Sequence, residues 1–144
     1  MTSPAFQNGG NIAAKFSHEG GNRSPALKIE GTPSAAKSLV LIVDDPDAPG
    51  GLFTHWLVWN IDPKTTSMAE GSMPKGAVEG INDFGAAGYG GPQPPSGTHR
   101  YYFKVFALDQ ELNLSAGAKR RDLDKAMKGH IIAQGQLMGR YSAK

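Results

Sequence analysis

The chain has 144 residues and carries 15 Lys and Arg against 13 Asp and Glu, a formal charge of +2. That length suits one domain, and so small a basic excess speaks against a dedicated nucleic-acid binder. Cysteine is absent, which excludes disulfides, thiolate nucleophiles and Cys-ligated zinc; the 19 glycines and 10 prolines are too many for a helical bundle and suit short strands joined by turns.

The first residues, Met1 to Phe6, show no basic region followed by an apolar one, so no signal peptide is read. The longest aliphatic run, residues 39–43, is far too short to span a bilayer. A soluble, cytoplasmic protein without stable membrane insertion is expected. The first thirty residues are polar and glycine-rich, with a short apolar stretch at Ala26, Leu27 and Ile29. Residues 39–43 are aliphatic and bounded by Ser38 and Pro46, which predicts a buried strand. Residues 54–61 predict a second strand. On strict alternation His55 shares a face with Leu57 and Trp59. Trp56 and Trp59 are read as core or pocket wall, although the pair would permit a dimer.

Residues 62–98 read mostly as turns. Residues 99–108 predict a long strand, with His99, Tyr101, Phe103 and Val105 on one face and Arg100, Tyr102 and Lys104 on the other. Residues 121–129 predict the one good helix. Asp122 and Asp124 lie in its first turn, Leu123, Ala126 and Met127 form its stripe, and Gly129 stops it. Residues 130–138 predict a last strand. The pattern is mainly β with one or two short helices, in a single domain over residues 1–144.

Most familiar motifs fail. Asp45-Pro46-Asp47-Ala48-Pro49-Gly50 looks superficially like a calcium loop, but Pro49 and Trp56 stand where ligands are required. No phosphate-binding loop, dinucleotide fingerprint, nucleophile elbow or HExxH is present. Lys119-Arg120-Arg121 reads as a solvated helix entrance, since no aromatic platform accompanies it.

What remains is Asp45, Asp47, His55 and His99, each at a strand end or a tight turn, with Tyr101 beside them. Imidazoles and a phenol donate hydrogen bonds to an anion, and carboxylates orient imidazoles. Gly90 and Gly91 would let a ligand approach the backbone. The same residues suit a zinc or iron site, or a hydrolase in which Asp orients His as general base. Residue chemistry alone leaves these alternatives open.

The ordered segments Asp45-Pro46-Asp47-Ala48-Pro49, His55-Trp56-Leu57-Val58-Trp59-Asn60, Gly91-Pro92-x-Pro94-Pro95 and Gly97-Thr98-His99-Arg100-Tyr101 resemble the phosphatidylethanolamine-binding protein (Raf kinase inhibitor protein-like) family. Agreement extends through Ser24-Pro25-Ala26-Leu27, Asn82-Asp83-Phe84-Gly85, Gly88-Tyr89 and Ala133-Gln134-Gly135-Gln136-Leu137. The short loops resemble its bacterial and archaeal branch. The resemblance implies a β-sandwich-like fold of two antiparallel sheets with Greek-key connections. It implies an anion pocket containing Asp45, His55, Gly91, Pro92, His99 and Tyr101, with Asp47 and Pro49 at the rim, and a cis Ala48–Pro49 bond.

Two positions depart from the family pattern. Gln93 stands where bacterial relatives often carry Cys. Ile29 stands where relatives often carry Trp, which puts an aromatic wall in doubt. Arg100 is expected to pair away from the pocket. The implied function is non-enzymatic binding of a small anionic or phosphorylated ligand, with no cofactor, and a regulatory role toward kinases or serine proteases. A homodimer is compatible with it. The alternative is a hydrolase or metal-dependent enzyme using Asp45, His55 and His99. If an imidazolium holds the anion, affinity should fall as pH rises through the histidine range.

Overall fold

The computed structural model describes all residues, Met1–Lys144. The elements run β1 (Leu27–Lys28), β2 (Ser38–Asp45), β3 (Phe53–Ile61), β4 (Ser67–Met68), β5 (Val78–Glu79), β6 (Thr98–Leu108), α1 (Arg120–Met127) and β7 (Ile131–Ser142), with a 3-10 turn at Ala14–Phe16. Five strands form the main sheet in the order β5-β3-β2-β6-β7, and β1 pairs with β4 in a small second sheet. Every strand pairing within the two sheets is antiparallel. The fold is thus mainly β, with two antiparallel sheets and one α-helix. The long return that carries β6 to the far side of β2 is a non-sequential connection of the Greek-key kind.

All eight residues of β2 are buried. The strand lies mid-sheet and is covered on both faces, so its sequence reads as a continuous apolar run rather than an alternation. Leu39, Leu41 and Val43 pack on one face with Trp56, Val58, Tyr101, Phe103 and Val105. Val40 and Ile42 pack on the other with Leu57, Trp59, Leu123 and Met127. The two tryptophans therefore belong to opposite faces and are buried in both, which leaves neither available to a dimer interface.

Strict alternation fails in β3 at two β-bulges. Asn60 takes a φ of 56° near the first register shift, and its side chain bonds both the N–H and the C=O of Leu112. Asn tolerates the left-handed region because its short amide can bond locally. At the second, Val43 pairs with Trp56 but Asp44 pairs with Thr54, so His55 is the extra residue. A bulge re-aims the side chain it inserts. His55 accordingly leaves the face of Leu57 and Trp59, and its ring lies 5.2 Å from that of Tyr101 on the opposite face.

In β6 the alternation holds along the strand, with His99, Tyr101, Phe103 and Val105 all buried. Helix α1 begins one residue earlier than predicted. Asp122 accepts the N–H of Lys119 at 3.1 Å, which satisfies one of the free donors at the helix start; Asp124 instead pairs with Arg120 at 2.9 Å. Strand β7 runs beyond the predicted end at Met138 because its tail pairs with Thr98 to Tyr101. The polar N-terminal region also contributes more than its composition implies. Phe6, Ile12 and Phe16 are buried in the larger core, and backbone bonds from Gly9 and Ile12 cover the β7 edge at Met138 and Arg140. The cis Ala48–Pro49 expectation is corrected: the chain contains no cis peptide bond.

Candidate functional site

The end of β2, the start of β3, the start of β6 and the 82–95 loop meet around a cavity of about 330 Å³. That is the small end of the ~300–1,000 Å³ typical of ligand pockets. Of the expected site residues, Asp45, Pro49, His55, His99 and Tyr101 line it, joined by Ala48, Phe53, Asp83, Phe84, Gln93 and Pro95.

His99 Nδ1 lies 2.6 Å from Asp45 Oδ2. The carboxylate accepts, so Nδ1 carries the proton and Nε2 is left for a ligand. The other oxygen, Asp45 Oδ1, accepts the Asp47 N–H at 2.7 Å, which closes the Pro46 turn as an Asx turn. His55 Nδ1 donates to the Gly90 carbonyl at 2.7 Å, and the Gly90 N–H donates back to the His55 carbonyl at 2.9 Å. This reciprocal pair fixes the bulge against the glycine loop and again leaves Nε2 as the free ring nitrogen. Tyr101 is only 1% exposed; its hydroxyl makes no well-formed hydrogen bond but lies beside the Asp45 carboxylate and the Gln93 backbone.

Burial is the main force on these groups. It lowers the His55 pKa from 6.5, against the opposing pull of the Gly90 carbonyl and the Asp45 charge. Burial, reinforced by Asp45, raises the Tyr101 pKa, so the phenol stays a donor. The lowered His55 value has a consequence for stability. Just below pH 6.5 the unfolded chain binds more protons at this residue than the folded one. Its contribution is complete above that pH and is lost as pH falls toward the lower folded value. The drop in urea stability between about pH 7 and about pH 5.5 should therefore shrink in His55→Gln; an equal drop in both proteins would remove His55 as its source.

The remaining expected residues lie elsewhere. Asp47 does not reach the cavity. Its two oxygens take the Arg100 guanidinium at 2.8 and 2.9 Å, and Oδ2 also takes the Arg100 N–H at 2.9 Å. The Arg100 hydrogen bonds lower the Asp47 pKa from 3.8 to about 2. Arg100 does face away from His99, but it pairs with a rim residue and so pins the Asp45–Pro49 turn to β6. Pro92 lines a neighbouring cavity of about 450 Å³, which shares Gln93 and Pro95 with the first. Gly91 donates to Asn22 Oδ1 at 2.7 Å. What approaches it closely is backbone rather than ligand: an added Cβ would stand 2.2 Å from the Phe16 carbonyl oxygen. At Gly90 the near neighbour is the Phe84 ring.

The aromatic wall is present but is built from other residues. Phe53 lies 4.8 Å from both His55 and Phe84, ring to ring, and His18 stacks on the outer side of Phe84 at 4.3 Å. Ile29 is buried in the larger core, away from the pocket. Phe53 lay outside the predicted strand 54–61; it stands two residues before His55, and the bulge turns both away from the face of Leu57 and Trp59 onto the pocket. Phe84 and Asp83 had a signal in Asn82-Asp83-Phe84-Gly85: Asn82 Oδ1 accepts the Phe84 N–H at 2.9 Å, an Asx turn that sets the ring. No three metal-ligating side chains converge anywhere in the chain, and no helix is long and apolar enough to cross a membrane.

The family model for phosphatidylethanolamine-binding protein matches residues 2–142. A UPF0098 protein of Pyrococcus horikoshii is 52% identical over 99% of this chain and 76% of its own length. One from Methanothermobacter thermautotrophicus is 46% identical over 98% of this chain and 97% of its own. A crystal structure of a phosphatidylethanolamine-binding protein homologue from Chlamydia trachomatis superposes with a TM-score of 0.94 at 45% identity, covering 99% of this chain and 96% of that one. Escherichia coli YbcL, described as a new member of the mammalian family, superposes at 0.93 with 34% identity, covering 99% and 97%. This chain belongs to the phosphatidylethanolamine-binding protein family.

Proposed function

We propose that the pocket binds a small phosphorylated or carboxylated ligand and does not turn it over. The observation that carries this reading is the pair of imidazoles that line one cavity, His55 and His99, each tethered through Nδ1 and each keeping Nε2 as its free ring nitrogen. The Tyr101 ring closes the cavity beside them. The volume suits a head group and excludes acyl chains. No serine, threonine or lysine lines the cavity; a hydrolase here would use water activated by the Asp45–His99 pair, or a carboxylate, imidazole or phenol of the lining as nucleophile. Nothing favours that alternative over binding. A regulatory role toward a kinase or serine protease is part of the same proposal and rests on family membership alone.

His55 also gives the binding reaction a sign. A neutral imidazole that donates through Nδ1 is an acceptor at Nε2, so an anion must either bring a proton or take one up at His55. Affinity then rises as pH falls. Titration with inorganic phosphate and with phosphoethanolamine, followed by NMR of the histidine rings, tests the reading. His55 and His99 should shift, with a smaller displacement at His18 through Phe84 and none at His130, which pairs with Asp109. Silence at both His55 and His99 rejects it, and phosphate affinity that is flat from about pH 5 to about pH 8 rejects the proton linkage.

A further inference from the structure

Asp44 and Asp45 are neighbours in β2 and both are buried, but they face opposite sides of the sheet. Asp45 serves the pocket. The Asp44 side chain is wholly inaccessible on the α1 side. Its Oδ2 accepts from Lys104 Nζ at 2.9 Å and from Arg120 Nη1 at 3.1 Å, while Oδ1 has no partner at all. Apolar packing of the same volume is often as stable as such a buried ionic cluster, or more so, because removing charges from water is expensive. Stability alone therefore does not account for it. Within the Lys119-Arg120-Arg121 run, Lys119 and Arg121 are exposed, as read from the sequence, but the Arg120 side chain is only 20% exposed.

Arg120 holds three groups. Besides Asp44, its Nη1 lies 3.2 Å from Thr54 Oγ1 and its Nε bonds Asp124 at 2.9 Å. Asp124 anchors the guanidinium to α1. The other two partners are chain neighbours of the pocket: Asp44 precedes Asp45, and Thr54 precedes the bulged His55. Thr54 also exchanges two bonds with Asp83 in the pocket wall. Its N–H donates to Asp83 Oδ2 at 2.7 Å, and its carbonyl accepts the Asp83 N–H at 2.8 Å. The contacts converge where the β2–β3 ladder is interrupted by the bulge, so ladder pairing alone fixes the strands least well there.

We propose that Arg120 is a positioning residue for the pocket. From the far face of the sheet it grips Asp44 and Thr54, and through them it holds Asp45, His55 and Asp83 in their relative places. A planar, permanently charged fork can hold several acceptors in one geometry where lysine cannot. The functional meaning of this role rests on the anion-binding reading, but its geometric content can be tested without any ligand.

The test compares the histidine ring resonances of ligand-free wild-type protein, Arg120→Met and Thr54→Val, then titrates each with inorganic phosphate. Arg120→Met should move the His55 and His99 rings and raise the phosphate dissociation constant about five-fold. Amide resonances of β7 around Gly135 should stay in place, which a general loosening of the fold would not allow. Thr54→Val, close in shape to the native residue, should move His55 and leave His99 nearly unchanged; it keeps the proposal testable if Arg120→Met does not fold. A His55 ring unmoved in the folded variants overturns the proposal. Moved rings in a protein that never binds phosphate would reject the anion reading and leave the positioning role standing.

Discussion

Replacing His99 by alanine is expected to weaken phosphate binding by about 1.5–3 kcal/mol, roughly ten- to a hundred-fold, the range for a lost hydrogen bond to a charged group. The same change should also lower stability. Asp45 is only 3% exposed, and without His99 it keeps the Asp47 N–H but loses the His99 Nδ1–H. Removing one member of a buried pair costs about 3–5 kcal/mol when the remaining charge is uncompensated. The double variant His99→Ala/Asp45→Asn separates the two effects. It should regain stability in urea titrations, because the orphaned charge is gone, and it should still bind phosphate poorly, because the Nε2 contact is gone. If His99→Ala binds phosphate within two-fold of wild type while losing stability, the pair is a structural element only.

Gly91→Ala is expected to be strongly destabilising, although the family motif assigns the residue to the pocket. The added Cβ would lie 2.2 Å from Phe16 O, 2.7 Å from Ser17 C and 2.8 Å from His18 N. All three are backbone atoms of one segment, and that segment is fixed by the His18 N–H donating to the Pro92 carbonyl at 3.0 Å and by the Gly91 N–H donating to Asn22. No flexible side chain is present to move aside. Overpacking of this kind costs typically about 1–3 kcal/mol and more when backbone must shift, so a loss of at least about 3 kcal/mol is expected, or a fall in Tm of about 6–12 °C. The damage should appear in stability first. A stable Gly91→Ala that loses phosphate binding would instead make Gly91 a ligand contact, as the family resemblance alone implies.

These two residues show how the sequence and the fold divide the information about the site. Asp45, His55, His99 and Tyr101 were legible because their residue types carry the chemistry and because turns and strand ends are where such groups gather. Gly91 and Pro92 were legible as a motif but not as a role: a glycine kept free for ligand and one kept free for a crossing backbone look the same in one dimension. Phe53 was not legible, since its place depends on a bulge one residue before the strand resumes its alternation. Arg120 lay inside a run of basic residues, and only the packing of α1 on the sheet distinguishes it from its solvated neighbours.

By itself the sequence determined the class of fold and the strands at its centre. A continuous aliphatic run flanked by Ser38 and Pro46 can be satisfied only by burial on both faces, and a clean alternation from His99 to Val105 places one set of side chains inward in any antiparallel sheet. The ordered family segments determined which polar groups stand at the strand ends. Tertiary structure alone decided the directions. Antiparallel pairing of β2 with β3 left one residue over between Val43 and Asp44, and that mismatch turned His55 onto the face of Tyr101. Pairing with β6 put Asp45 against His99 while the adjacent Asp44 faced α1 and met Arg120. Such outcomes depend on register between segments distant in the chain, and register is set by how two faces fill against their neighbours, not by either strand alone.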